Sequence, residues 1–68
     1  MNSSIFKEER HENILSLIKK FNKVTVSDLA SKFNVSAETI RRDLNELEKQ
    51  GVLERTYGGA IGVSHNPR

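Results

Sequence analysis

The sequence predicts a mainly α-helical fold with a small antiparallel β-sheet, made of three helices and three short strands. Apolar residues recur at helical spacing over residues 7–21 and 37–50, and serines stand where two of the helices would begin. Two β-type runs flank a Gly-Gly pair towards the end of the chain, which indicates a hairpin. With 68 residues and no cysteine, the chain has room for one small domain without disulfides.

The first predicted helix covers residues 7–21. Its apolar residues lie three and four positions apart and form one stripe, which we expect to face the core: Ile14, Leu17, Ile18 and Phe21. Glutamates cluster near the start of this segment and lysines at its end, an order that the helix dipole favours.

A short strand and a short helix follow. Residues 24–26 read Val-Thr-Val, a β-type run too short to be stable without a partner strand. Ser27 is predicted to cap a helix over residues 28–33. Residues 34–35 then leave space only for a tight turn.

The third helix is predicted over residues 37–50, with Ser36 as its N-cap and Gly51 as the left-handed residue that ends it. One face is apolar and is predicted to be core: Ala37, Ile40, Leu44 and Leu47. The opposite face is polar and therefore available for recognition: Glu38, Arg42, Asn45, Glu46 and Lys49.

The hairpin is predicted after the third helix, with Gly58 and Gly59 as turn residues that adopt positive φ readily. Its third strand would be the run at residues 24–26. Helix, tight turn and helix followed by a hairpin make a winged helix-turn-helix. We assign this domain to residues 1–63, with a core over about 7–62, and expect residues 64–68 to be a loose tail or the start of a linker.

Composition narrows the function classes. The net charge of +2 suits an anionic partner but is a weak indication by itself. His11 and His65 are too far apart for a metal site, so we expect surface histidines, no metal and no cofactor. The sequence contains no nucleophile-base set and no phosphate loop, so we expect no enzyme. It has neither a transmembrane run nor a signal peptide, which favours a cytoplasmic protein without membrane contact.

The polar face of the third helix carries groups suited to double-stranded DNA, because the major groove admits one helix. Arg42 points farthest from the core and is our first candidate for a base contact, whereas Arg41 is expected to contact phosphate. Glu38 is equally consistent with a cytosine contact and with helix-start electrostatics. Asn45 is suited to adenine, and Thr39 to phosphate or a thymine methyl group.

Further candidates lie at helix starts and on the hairpin. Thr25, Ser27 and Ser36 are placed to contact phosphate, although capping alone explains Ser27 equally well. Tyr57 would either pack on the hairpin or donate its hydroxyl to phosphate. The other hairpin candidates, expected along the DNA backbone or in the minor groove, are Arg55, Gly58 and Gly59.

Asp43 is expected to face away from DNA, because phosphates would repel its carboxylate. We therefore predict an ion pair within the domain, with Arg55 or Lys32 as its partner. Lys23 is interpreted as a phosphate contact.

The stretch VSAETIRRDLNELEKQG at residues 35–51, followed by ERTYGGA at 54–60, closely resembles the DNA-binding domain of DeoR-family bacterial transcriptional regulators. The resemblance runs from about residue 10 to residue 60, and Tyr57 stands where the family most often has histidine. It implies operator binding through the third helix, with Thr39, Arg41 and Arg42 as the DNA-contacting group.

The resemblance also implies a role for the whole protein. Members of the family usually repress sugar or nucleoside catabolic operons. Their larger C-terminal domain, absent from this sequence, senses a phosphorylated sugar and drives self-association. The alternative is a winged-helix module that binds another protein, which would require exposed apolar residues on the third helix.

Overall fold

The computed structural model describes residues 6–63 and confirms a mainly helical domain with a three-stranded antiparallel sheet. The helices are α1 (Lys7–Phe21), α2 (Val26–Phe33) and α3 (Ala37–Lys49). The strands are β1 (Lys23–Thr25), β2 (Leu53–Thr56) and β3 (Gly59–Gly62), arranged in the order β1-β3-β2. Residues 64–68, which the sequence predicts to be a tail, lie outside the described part of the chain.

The core lies between the three helices and one face of the sheet. It is formed by Ile14, Ile18, Val24, Val26, Leu29, Phe33, Ile40, Leu44, Leu47, Leu53 and Ala60. The prediction that Phe21 belongs to the core is wrong, because its side chain is 64% exposed. Asn22 adopts the left-handed conformation at φ 67° and turns the chain into β1, so the buried stripe of α1 ends at Ile18.

The start of α2 differs from the prediction by two residues. Val26 begins this helix, and the N-cap is Thr25, whose Oγ1 accepts a hydrogen bond from the Asp28 backbone N–H at 3.1 Å. The assignment of Ser27 as the cap is therefore wrong. The strand ends earlier than predicted because Thr25 caps α2 and Val26 is already helical, although the Val26 N–H still donates to the Gly58 carbonyl at 2.8 Å.

The start and the end of α3 follow the prediction closely. Ser36 is the N-cap, and its Oγ accepts the Thr39 backbone N–H at 3.1 Å. Gly51 follows the last turn with a φ of 79°, a conformation that glycine adopts without a steric penalty. In the turn before α3, Asn34 adopts φ 58° and ends α2.

The two adjacent glycines of the hairpin have different roles. Gly58 adopts φ 82° in a two-residue turn with Tyr57, as a turn glycine would. Gly59 belongs to β3 and pairs with both Thr25 and Thr56. The predicted turn role of Gly59 is therefore wrong, and the residue is needed for another reason: a Cβ there would lie 2.1 Å from the Val24 carbonyl oxygen. Glycine at this position allows β1 to lie close against β3.

Replacing Gly59 with alanine should destabilise the domain by about 1–3 kcal/mol, because the added Cβ would overlap backbone that cannot move independently. Urea denaturation followed by circular dichroism measures this change. Gly58→Asn is the matched control, since asparagine tolerates a positive φ and nothing lies within 4 Å of that position. Equal stability of Gly59→Ala and the parent would contradict the assigned role.

Candidate nucleic-acid interface

The N-terminal half of α3 presents an exposed polar surface. Arg41, Arg42 and Glu38 are exposed, whereas Ile40 is fully buried and keeps the apolar face of the helix against the core. The Arg42 side chain makes no hydrogen bond or ion pair with any of residues 6–63. Its guanidinium group is therefore available for an external acceptor.

Two contacts organise the beginning of α3. Ser36 Oγ and Thr39 Oγ1 lie 3.0 Å apart, so the two hydroxyls share a hydrogen bond at the helix start. Arg41 Nη1 lies 3.9 Å from Glu38 Oε1, with both side chains more than half exposed. An exposed pair at this distance contributes little to stability. Both side chains can therefore rearrange around a ligand.

Asp43 lies on the inner side of α3 and is 2% exposed. Arg10 of α1 donates to both of its oxygens: Nε to Oδ2, and Nη2 to Oδ1 at 3.0 Å. His11 Nε2 lies 3.2 Å from Oδ1. The predicted intramolecular pair is confirmed, but the partners Arg55 and Lys32 are wrong.

The packing of α1 against α3 explains why the partner of Asp43 is Arg10. Arg10 lies one turn before Ile14 on α1, and Asp43 precedes Leu44 on α3, so both flank residues of the buried stripes. That proximity to the core is the sequence feature that could have indicated the pair. His11, predicted to be a surface residue, is likewise half-buried beside Asp43.

The pair also matters for the charge near the exposed surface. The hydrogen bond from Arg10 to Asp43 raises the arginine pKa, which outweighs the lowering by burial, so Arg10 stays protonated. On the next turn of α3, Glu46 Oε1 lies 3.1 Å from Lys7 Nζ and 3.9 Å from His11 Nε2. Lys7 and Arg10 of α1 thus neutralise the charges of two α3 carboxylates, Glu46 and Asp43.

The hairpin is attached to α3 through Arg55. Its Nη1 donates to Asn45 Oδ1 at 2.6 Å, and its Nε donates to the Gly59 carbonyl at 3.1 Å. Its backbone N–H donates to Glu48 Oε2 at 3.1 Å. An open groove beside Arg55, between α3 and the hairpin, is lined by Val26, Arg41, Arg55, Thr56, Tyr57 and Gly58.

The tip of the hairpin is exposed. Tyr57 has a relative accessibility of 105%, which excludes the predicted packing of its ring on the hairpin. Gly58 is exposed beside it, whereas Gly59 is buried and has a structural role. Thr25 is half-buried and lines a second depression with Tyr57 and Gly58, whereas Ser27 is exposed in the first turn of α2. The groove beside Arg55 thus brings together predicted site residues of α3 and the hairpin: Arg41, Arg55, Tyr57 and Gly58.

None of the large exposed apolar residues of the described part of the chain belongs to α3. Within residues 6–63 they are Phe6, Phe21, Val52, Tyr57 and Val63. The exposed face of α3 therefore lacks the apolar patch that a protein-docking helix would require. In the same range, no group of three histidine or acidic side chains converges as a metal site, and no helix is long and apolar enough to cross a membrane.

Comparison with known proteins relates this chain to one family of DNA-binding domains. The model of the DeoR-like helix-turn-helix domain matches residues 10–66. The glycerol-3-phosphate regulon repressor of Escherichia coli (strain K12) is 46% identical over 52 residues, which are 76% of this chain and 21% of that protein. The L-fucose operon activator of Haemophilus influenzae is 48% identical over 52 residues, again 76% of this chain and 21% of that protein.

A third relative is the lactose phosphotransferase system repressor of Streptococcus mutans. It is 50% identical over 54 residues, which are 79% of this chain and 22% of that protein. The chain thus spans 21% or 22% of the length of these curated relatives, all of which are named as transcriptional regulators. No solved structure matches the chain.

Asp43→Ala should lower the free energy of unfolding by about 3–5 kcal/mol, because it removes the carboxylate partner of a largely buried arginine. Replacing both partners, as Arg10→Met with Asp43→Leu, should recover much of this loss. Denaturant titration measures both effects.

Glu46→Ala is the control for this comparison, since its pair with Lys7 is about half exposed and should contribute at most about 1 kcal/mol. Equal effects of Asp43→Ala and Glu46→Ala would contradict the role of burial.

Proposed function

This chain belongs to the DeoR-like helix-turn-helix family, whose domains bind DNA in transcriptional regulators, and we propose that α3 reads operator DNA in the major groove. The observation that carries the proposal is the exposed face of α3, where the Arg42 side chain has no partner among residues 6–63. The opposite face is fixed in the core by Ile40 and Leu44, both fully buried. A helix held in this way presents its polar side chains in a constant orientation.

Each polar side chain of α3 has a proposed role. Arg42 donates to the edge of a guanine, because two parallel N–H groups match O6 and N7. Arg41 contacts phosphate, and Thr39 contacts phosphate or a thymine methyl group. Glu38 lies near Arg41 and the positive end of the helix, which supports helix-start electrostatics over a cytosine contact.

Helix starts and the hairpin complete the proposed interface. Ser36 caps α3, Thr25 caps α2 and Ser27 lies in the first turn of α2, so N–H groups at both helix starts suit phosphate oxygens. The hairpin lies along the DNA backbone, with the Tyr57 hydroxyl donating to phosphate beside Gly58. The full exposure of Tyr57 supports this role.

We further propose that the whole protein represses a sugar or nucleoside catabolic operon. Support comes from the names of two relatives, which are a glycerol-3-phosphate regulon repressor and a lactose phosphotransferase system repressor. A C-terminal domain that binds a phosphorylated sugar and self-associates would complete the regulator. A single domain should bind weakly, since it lacks the avidity of a dimer on two half-sites.

Arg42→Ala should weaken binding to the preferred sequence by about 1–3 kcal/mol and relax selectivity at one base pair. The preferred sequence is obtained by selection from a random DNA pool with two copies of the domain joined as a dimer. Fluorescence anisotropy on that sequence, and on its single-base variants, measures both effects. Unchanged affinity and selectivity of Arg42→Ala would show that this arginine does not contact a base.

Lys23→Ala is the matched control for a phosphate contact. It should weaken binding to all sequences alike, and it should reduce the slope of log affinity against log salt by about one. A loss confined to one sequence would exclude this role. If the parent chain shows no salt-dependent binding to any DNA, the protein-interaction alternative replaces the proposed function.

A further inference from the structure

Arg55 and Asn45 form one hydrogen-bonded unit between the hairpin and α3. The Arg55 guanidinium donates to the side-chain oxygen of Asn45 at 2.6 Å and to the Gly59 carbonyl at 3.1 Å. The Arg55 backbone N–H donates to Glu48, which lies one turn after Asn45 on α3. The backbone and the side chain of one residue are therefore both attached to the same helix.

This unit fixes the orientation of the Asn45 amide. An arginine side chain has only donors, so the atom of Asn45 that faces Arg55 must be the oxygen, Oδ1. The amide nitrogen Nδ2, with its two N–H groups, is then directed away from Arg55. Since Asn45 is exposed on the polar face of α3, these donors are available to an external acceptor.

We propose that Arg55 is a positioning residue, which sets the hairpin against α3 and makes Asn45 a hydrogen-bond donor toward an acceptor atom of bound DNA. This inference rests on the proposed function. Suitable acceptors are a purine N7, guanine O6, thymine O4 or a phosphate oxygen. The adenine contact expected from the sequence is one form of this role: Nδ2 donates to adenine N7, while Oδ1 accepts from Arg55 with one lone pair and from the adenine amino group with the other.

The competing role for Arg55 is a direct phosphate contact, as the sequence suggests. The two roles differ in what they require from the side chain. A phosphate contact depends mainly on positive charge, which lysine also supplies. The positioning role requires two donors in a fixed plane, one toward Asn45 and one toward Gly59, and lysine cannot reproduce that geometry.

Arg55→Lys is therefore the main test, measured as affinity for the DNA sequence that the parent chain selects. We expect it to bind about tenfold more weakly than the parent, as Arg55→Ala should, since either substitution loses the two-point contact. The double variant Arg55→Lys with Asn45→Ala should lose less than the product of the two single losses. Parent-like affinity of Arg55→Lys, or losses that multiply fully, would overturn the inference.

Asn45→Asp tests the donor independently of the hairpin. The substitution keeps an oxygen for Arg55 but replaces the N–H donors with a second oxygen. We expect it to bind DNA more weakly than Asn45→Ala, because this oxygen would face an acceptor. Affinity equal to or above that of Asn45→Ala would contradict the donor role.

The selectivity of Asn45→Ala identifies the acceptor. A loss confined to one base pair identifies a base atom, and an equal loss on all sequences identifies a phosphate oxygen. Both results support the donor role, and no loss overturns it.

Two controls separate this inference from the proposed function. If the parent chain selects no DNA sequence, the proposed function itself fails. If it selects one and Arg42→Ala weakens binding, while Arg55→Lys and Asn45→Asp bind like the parent, only the positioning role fails. Thermal unfolding by circular dichroism confirms that each variant is folded. If Arg55→Lys does not fold, Asn45→Asp still tests the donor role of Asn45.

Discussion

The rotation of α3 about its own axis is the constraint on which the rest of the structure depends. Ile40, Leu44 and Leu47 are buried on one side of the helix, but apolar burial is non-directional and tolerates small rotations. The two-point hydrogen bond between Arg10 and Asp43 is directional and lies at the edge of that apolar face. Together they determine which side chains of α3 face solvent, and hence which surface can meet DNA.

Ion pairs between α1 and α3 also determine the charge near the exposed surface of α3. A net charge of +2 describes the chain poorly, because two carboxylates of α3, Asp43 and Glu46, are paired with residues of α1. Arg42 therefore stands beside acids that already have cationic partners. The helix dipole adds positive potential at the N-terminus of α3, next to the same surface. Placement of charge, more than its total, supports an interface for a polyanion.

Local sequence features predicted the helices and strands well. The errors of prediction arose where contacts between residues distant in the sequence decide the structure. Periodicity and capping gave α1 and nearly all of α3, because both depend on neighbours within a few residues. Phe21 fits the same periodicity yet is exposed, since the chain turns away at Asn22. Gly59 resembles a turn glycine until β1, more than thirty residues earlier, is placed against it. The Arg10–Asp43 pair likewise depends on how α1 packs on α3.

The arginines show how intramolecular contacts decide which groups remain for a ligand. By residue type alone, Arg41, Arg42 and Arg55 are all suited to phosphate or guanine. In the folded domain Arg55 is bound to Asn45 and Gly59, Arg41 has only a long contact with Glu38, and Arg42 has no partner among residues 6–63. Turning the two bonded N–H groups of Arg55 to a ligand gains little, because the exchange loses one hydrogen bond for each that it forms. The order of availability is therefore Arg42, then Arg41, then Arg55, and it follows from the fold rather than from the motif.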